Sequence, residues 1–143
     1  MSEFEPIIVA FACEYCAYTA ADMAGSLGMS YPPNVKIIRV PCTGKVDTLH
    51  LMRALQKGAD GVLVAGCYLG DCHYKNGNLR AQQRVGYVSR LLEEIGVGGE
   101  RVMMTFMSAG QGNVFAQVAN EFTEKIRNLG PNPVKLGAGK AAA

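Results

Sequence analysis

The chain has 143 residues, enough for one domain whose core needs no disulfide staples. Hydrophobic residues make up 49% and charged residues 18%, a balance that excludes a disordered chain, and a net charge of +2 gives no footing for a nucleic-acid partner. No run approaches the roughly 20 apolar residues of a membrane span, and the acidic opening "MSEFEP" does not read as a signal peptide. A cytoplasmic protein is expected, in which thiols stay reduced and clustered cysteines point to metal or redox chemistry.

In chain order, "PIIVAFA" (6–12) is a continuous apolar run of strand length, rich in β-branched residues. An Ala-rich stretch, about 17–28, follows as a helix that contains Gly25 and ends before Pro32-Pro33. "VKIIRV" (35–40) is the second strand. Residues 46–57 read as a helix with Asp47 as N-cap, Leu49, Met52 and Leu55 on one face, and Gly58 as its stop. "GVLVAG" (61–66) is the third strand. A helix over 78–95 carries Val88, Leu91, Leu92 and Ile95 at helical spacing, with Gly96 beyond. "RVMMTFM" (101–107) is the fourth strand, where Met103, Met104 and Met107 read as packing residues. The last helix, 113–129, has a stripe of Phe115, Val118, Phe122, Ile126 and Leu129, with Asn113 as cap and Gly130-Pro131 as stop.

Alternation of this kind predicts a single α/β domain, residues 1–131. It would be a four-stranded parallel sheet with right-handed crossovers, flavodoxin- or Rossmann-like, in the order 2-1-3-4. Continuous apolar strands fit a sheet covered on both faces. Residues 132–143 lack an apolar period and read as a flexible tail.

All five cysteines stand just after strands. Cys13 and Cys16 follow the first, Cys42 the second, Cys67 and Cys72 the third. Parallel strands end at one edge, and with the first strand central the three loops are neighbours at a spacing of about 4.8 Å. Ligands of such sheets bind there. Iron–sulfur clusters and zinc both take four cysteine ligands, and the spacings C-x2-C and C-x4-C each let two sulfurs reach one metal or adjacent irons. Four of the five would complete a [2Fe–2S] cluster. A zinc-binding structural module is an alternative on the same residues. A thiol–disulfide oxidoreductase built on Cys13 and Cys16 is another, which leaves the other three cysteines unused.

The remaining candidates carry simpler readings. His73 stands beside Cys72, but a Rieske centre needs two histidines and the only other, His50, lies on a helix. Lys45, Lys75 and Arg80, with helix N-termini, would favour a negatively charged cluster. Arg80, Arg84 and Arg90 read as a solvated helix face. "SAGQGN" (108–113) reads as a turn with a cap, since no G-x-G-x-x-G or P-loop occurs. Tyr15, Tyr18, Tyr68 and Tyr74 flank the cysteines as possible shields against water. No acid, base and nucleophile set stands outside the cysteines, so no independent catalytic site is expected.

"FACEYCAYTAADMAG", "YPPNVKIIRVPCTGKVD", "GADGVLVAGCYLGDCHYKNGN" and "EFTEKIRNLGP" together resemble the delta-subunit family of methyl-viologen-reducing hydrogenase, across residues 7–131. The resemblance implies an iron–sulfur electron carrier with a [2Fe–2S] cluster. It implies a place between a nickel–iron hydrogenase, or a formate dehydrogenase, and the flavin subunit of heterodisulfide reductase in an electron-bifurcating complex. An anaerobic setting such as a methanogen is implied too.

Overall fold

Strand β3 (Gly61–Gly66) is buried along its whole length, and the rest of the chain is arranged around it. A computed structural model describes residues 4–26, 28, 34–68 and 76–134. Strand β1 (Ile8–Cys13) pairs in parallel with β2 (Val35–Val40) on one side and with β3 on the other, and β4 (Val102–Phe106) pairs with β3. The order is 2-1-3-4, all parallel, as expected from the alternation of strands and helices.

Helices cover both faces. On one, α1 (Ala17–Ser26) and α4 (Gly112–Leu129) pack Ala17, Ala20, Ala24, Phe115, Phe122 and Ile126 against Ile8, Ala10, Leu63 and Ala65. The small alanines let α1 lie close to both the sheet and α4, which is why an Ala-rich helix suits that place. On the other face, α2 (Thr48–Gln56) and α3 (Gly77–Glu94) pack Leu51, Leu55, Val85, Val88 and Leu92 against Phe11, Val62 and Val64. Each fully buried large side chain contributes about 1.5–3 kcal/mol. Met103 and Met104 pack on opposite faces, and Met107 is buried, in keeping with packing roles.

Several local expectations are corrected. Leu49 does not share the buried face of α2: it is 54% exposed, and Leu51 and Leu55 turn inward instead. The reason is the cap. Asp47 accepts from the Thr48 amide and His50 Nδ1 accepts from the Asp47 amide, a reciprocal capping box that fixes the helix phase and explains His50. Helix α4 starts at Gly112, one residue before the expected 113, and its N-cap is Gln111, not Asn113. Strand β2 is an edge strand with Ile38 44% exposed, not a strand covered on both faces.

Residues 132–134, expected to belong to the tail, are docked. Asn132 is buried and donates to the Leu55 and Ala59 carbonyls, while its amide donates to Asp60. Arg101, read as the start of a strand, sits buried in a short 3-10 turn, and its guanidinium donates to the Asp60, Val97 and Pro131 carbonyls. Burial lowers its pKa and the Asp60 carboxylate opposes that shift. This network fastens the amino-terminal edge of the sheet. Residues 135–143 lie outside the described residues.

Candidate metal centre

The opposite edge holds the cysteines. Cys13 is the last residue of β1, and the next amide, of Glu14, still donates to Val40, extending the pairing with β2. The chain then turns, with the Cys16 amide donating to the Cys13 carbonyl, and α1 begins at Ala17. Cys16 therefore sits at a helix N-terminus, where negative charge is favoured. Cys67 directly follows β3, next to β1. The sulfurs of Cys13, Cys16 and Cys67 all lie within 4.8 Å of one another, and all three residues are buried.

Cys13 Sγ is 3.7 Å from Cys67 Sγ, and Cys16 Sγ is 2.9 Å from Cys67 Sγ. Two thiolates on one tetrahedral ion, each about 2.3 Å from it, stand about 3.8 Å apart. The Cys13–Cys67 pair has that separation already, and the other needs a small opening. The donor set fits a thiolate-bound metal centre, as three of the four cysteine ligands of an iron–sulfur or zinc site.

The thiols also divide their protons unequally. Cys13 is lowered to about 6, chiefly by its hydrogen bond with Cys16, with help from the Tyr15 amide and against the cost of burial. Cys16 is pushed far up, by the same hydrogen bond and then by burial. One thiol thus acts as donor to a neighbouring thiolate, and the first proton leaves this nest easily while the next is held.

Cys42 stands apart from the three-sulfur group. It is buried at the start of a 3-10 turn (Thr43–Lys45), its Sγ accepting from the Gly44 amide at 3.4 Å. A 240 Å³ cavity there is lined by Cys42, Gly44, Lys45, Gly77 and Arg80. Lys45 and Arg80, expected beside the cluster, therefore border Cys42. Two close approaches fix this loop. A Cβ on Gly44 would come within 2.8 Å of Gly77 Cα, and one on Gly66 within 3.0 Å of Thr43 Oγ1. Arg84 donates to the Gly44 and Val46 carbonyls, so it is a strut between α3 and this turn and not part of a solvated face. Cys72, His73, Tyr74 and Lys75 lie outside the described residues.

Sequence reading missed Asn78. Its side chain is fully buried and its Nδ2 donates to the Cys67 carbonyl at 2.9 Å and the Tyr68 carbonyl at 2.8 Å, while its Oδ1 accepts from the Leu79 amide. It ties the exit of β3 to the first turn of α3. Only its position, eleven residues after Cys67 and at the head of a helix, signals it. Tyr15 and Tyr68 border a 260 Å³ opening onto Cys16 and Cys67, together with Met107, Ser108 and Ala109. Tyr68 donates to Gln111 Oε1, which also accepts from the Ser108 amide, so "SAGQGN" props one wall of the opening. Tyr18 lies elsewhere, under the Arg39 guanidinium.

The family model described as methyl-viologen-reducing hydrogenase, delta subunit, matches residues 8–130. The chain belongs to this family. It is 54% identical over 129 residues to an iron-sulfur subunit of the F420-non-reducing hydrogenase of Archaeoglobus profundus, covering 90% of this chain and 94% of the relative. The vhu iron-sulfur subunit of the F420-non-reducing hydrogenase of Methanocaldococcus jannaschii is 49% identical over 131 residues, 92% of this chain and 98% of the relative. A third relative is far longer. It belongs to the ferredoxin/F(420)H(2)-dependent CoB-CoM heterodisulfide reductase of Methanosarcina acetivorans and is 40% identical over 126 residues, which are 88% of this chain and 16% of that protein. The family's domain thus occurs both on its own and as a segment of a larger redox chain. No helix among the described residues is long and apolar enough to cross a membrane.

Proposed function

We propose that this member of the delta-subunit family is a [2Fe–2S] electron-transfer protein. It passes electrons from a hydrogenase or a formate dehydrogenase to the flavin subunit of heterodisulfide reductase in a bifurcating complex. The observation that carries the reading is the nest of three buried sulfurs at the carboxyl edge of the sheet, in a family whose relatives are named iron-sulfur subunits. The heterodisulfide reductase chain that contains a similar segment supports the choice of acceptor. The reading places it in the cytoplasm of an anaerobe, where thiols stay reduced.

Cys13, Cys16 and Cys67 would supply three ligands. Cys72 is the fourth, because it shares the short C-x4-C loop with Cys67, and Cys42 is held in reserve at the neighbouring turn. The cluster, when bound, supplies one-electron chemistry. The chain's own residues do the rest. Asn78 holds the Cys67 backbone in place, and the apolar packing of α1 and α4 keeps water from the far side of the sulfurs. Tyr15 and Tyr68 border the one open side described, where a redox partner approaches most closely. Reconstitution tests the proposal: donor enzyme and heterodisulfide reductase are mixed with and without this chain and flavin reduction is followed. Flavin reduction should depend on the chain and on Cys67; equal rates without it would remove the relay role.

A further inference from the structure

Among the described residues, the face of the sheet that carries α2 is incompletely covered. A parallel sheet normally has both faces covered by helices, yet α2 leaves an open groove between itself and β2, about 360 Å³ in volume. Val9, Phe11 and Ile38 form its floor, Ile7 lies at one end, and Arg53 of α2 and Lys57, its C-cap, stand on its wall. Ile7 and Ile38 are 41% and 44% exposed, and Leu49, one helical turn before Arg53, is 54% exposed. Arg53 and Lys57 are exposed and, among the described residues, they have no carboxylate partner and no acidic side chain lines the groove. An apolar floor with two unpaired cations on its wall is complementary to an apolar segment that carries carboxylates.

We propose that this groove anchors an apolar, carboxylate-bearing segment of the heterodisulfide reductase flavin subunit, a role that rests on the electron-transfer reading above. The groove begins at Ile7 and Lys57, at the edge of the sheet opposite the cysteines. Anchoring there leaves the opening between Tyr15 and Tyr68 uncovered, so docking and electron exit use different surfaces. A second copy of this chain, or an anionic membrane surface, would be the competing occupants.

Incorporation of the chain into the assembled hydrogenase–heterodisulfide reductase complex, followed by native gel and by binding titration against the cognate flavin subunit of heterodisulfide reductase, tests the proposal. The variants are Ile38→Glu, the pair Arg53→Glu with Lys57→Glu, and Cys67→Ser. Because Ile38, Arg53 and Lys57 are exposed, their variants should keep the wild-type cluster spectrum and melting temperature while binding about ten-fold or more weakly. The charge-reversed pair should also lose most of the salt dependence of binding. The Cys67→Ser form should bind through an intact groove yet pass no electrons, which separates failure of the relay from failure of the anchor. Wild-type affinity in both groove variants would overturn the anchor and leave the relay reading untouched. Failure of the wild-type chain to incorporate would overturn both. A concentration-dependent dimer, or capture by phosphatidylglycerol vesicles, that the same variants abolish would reassign the groove.

Discussion

The sulfurs of Cys16 and Cys67 lie 2.9 Å apart although 51 residues separate them in the chain. The contact exists because β1 and β3 are neighbours in a parallel sheet, so the loops that leave them meet at one edge. Metal-free protein should feel that crowding as an early titration. The pKa of Cys13 lies at about 6, well below the usual 9.0, so thiolate absorbance in the ultraviolet should rise with a midpoint near that value and vanish in Cys13→Ser. The folded value is the depressed one. Its contribution to stability is therefore full above the unfolded thiol's range and lost as pH falls through about 6. Cys16, pushed up, opposes this only at high pH. Titration of every thiol above pH 8 would contradict the hydrogen-bonded nest.

Serine replacement separates the cysteines. Cys13→Ser, Cys16→Ser and Cys67→Ser each remove a sulfur from the three-membered group and should strip most of the iron from anaerobically prepared protein. Cys72→Ser should do the same as the proposed fourth ligand. Cys42, whose sulfur accepts from the Gly44 amide, should leave the iron in place when replaced. Iron loss in Cys42→Ser with retention in Cys72→Ser would exchange the two.

Asn78 should matter to the centre without touching it. Asn78→Ala removes two hydrogen bonds, to the Cys67 and Tyr68 carbonyls, at a cost of about 0.5–1.5 kcal/mol each. Urea unfolding reads that cost. Faster loss of cluster colour to a chelator than in a core variant of equal stability would mark Asn78 as a positioning residue; equal loss would make it structural only.

The amino-terminal edge offers an independent check. Removing residues 132–143 deletes the Asn132 bonds to Leu55, Ala59 and Asp60, whereas removing 135–143 leaves them. The shorter chain should lose about 1–3 kcal/mol or more in denaturant unfolding, and the longer one should behave as the whole protein. Cluster content should be the same in both, since the network lies at the edge opposite the cysteines.

Strands were legible where the chemistry is local. The runs at 61–66 and 35–40 are β3 and β2 to the residue, and placing all cysteines after strands was enough to foresee three of them together. What failed depends on side-chain contacts that the apolar pattern does not show. Leu49 lost its place in the core to the helix phase set by Asp47 and His50. Arg84 looked solvated because its acceptors, the Gly44 and Val46 carbonyls, are some 40 residues away. Cys42 sits in a turn held against α3 by the close approach of Gly44 to Gly77, a placement that cysteine spacing alone does not show. Asn78, Arg101 and Asn132 could not be seen, since a buried polar residue is recognised only when its partners are known.

Iron and acid-labile sulfide, counted on protein purified without air and accompanied by its visible absorption spectrum, test the central claim most directly. A [2Fe–2S] centre gives about two irons and two sulfides per chain and a coloured protein that bleaches on reduction. A colourless protein holding a single zinc, with no sulfide, would contradict it.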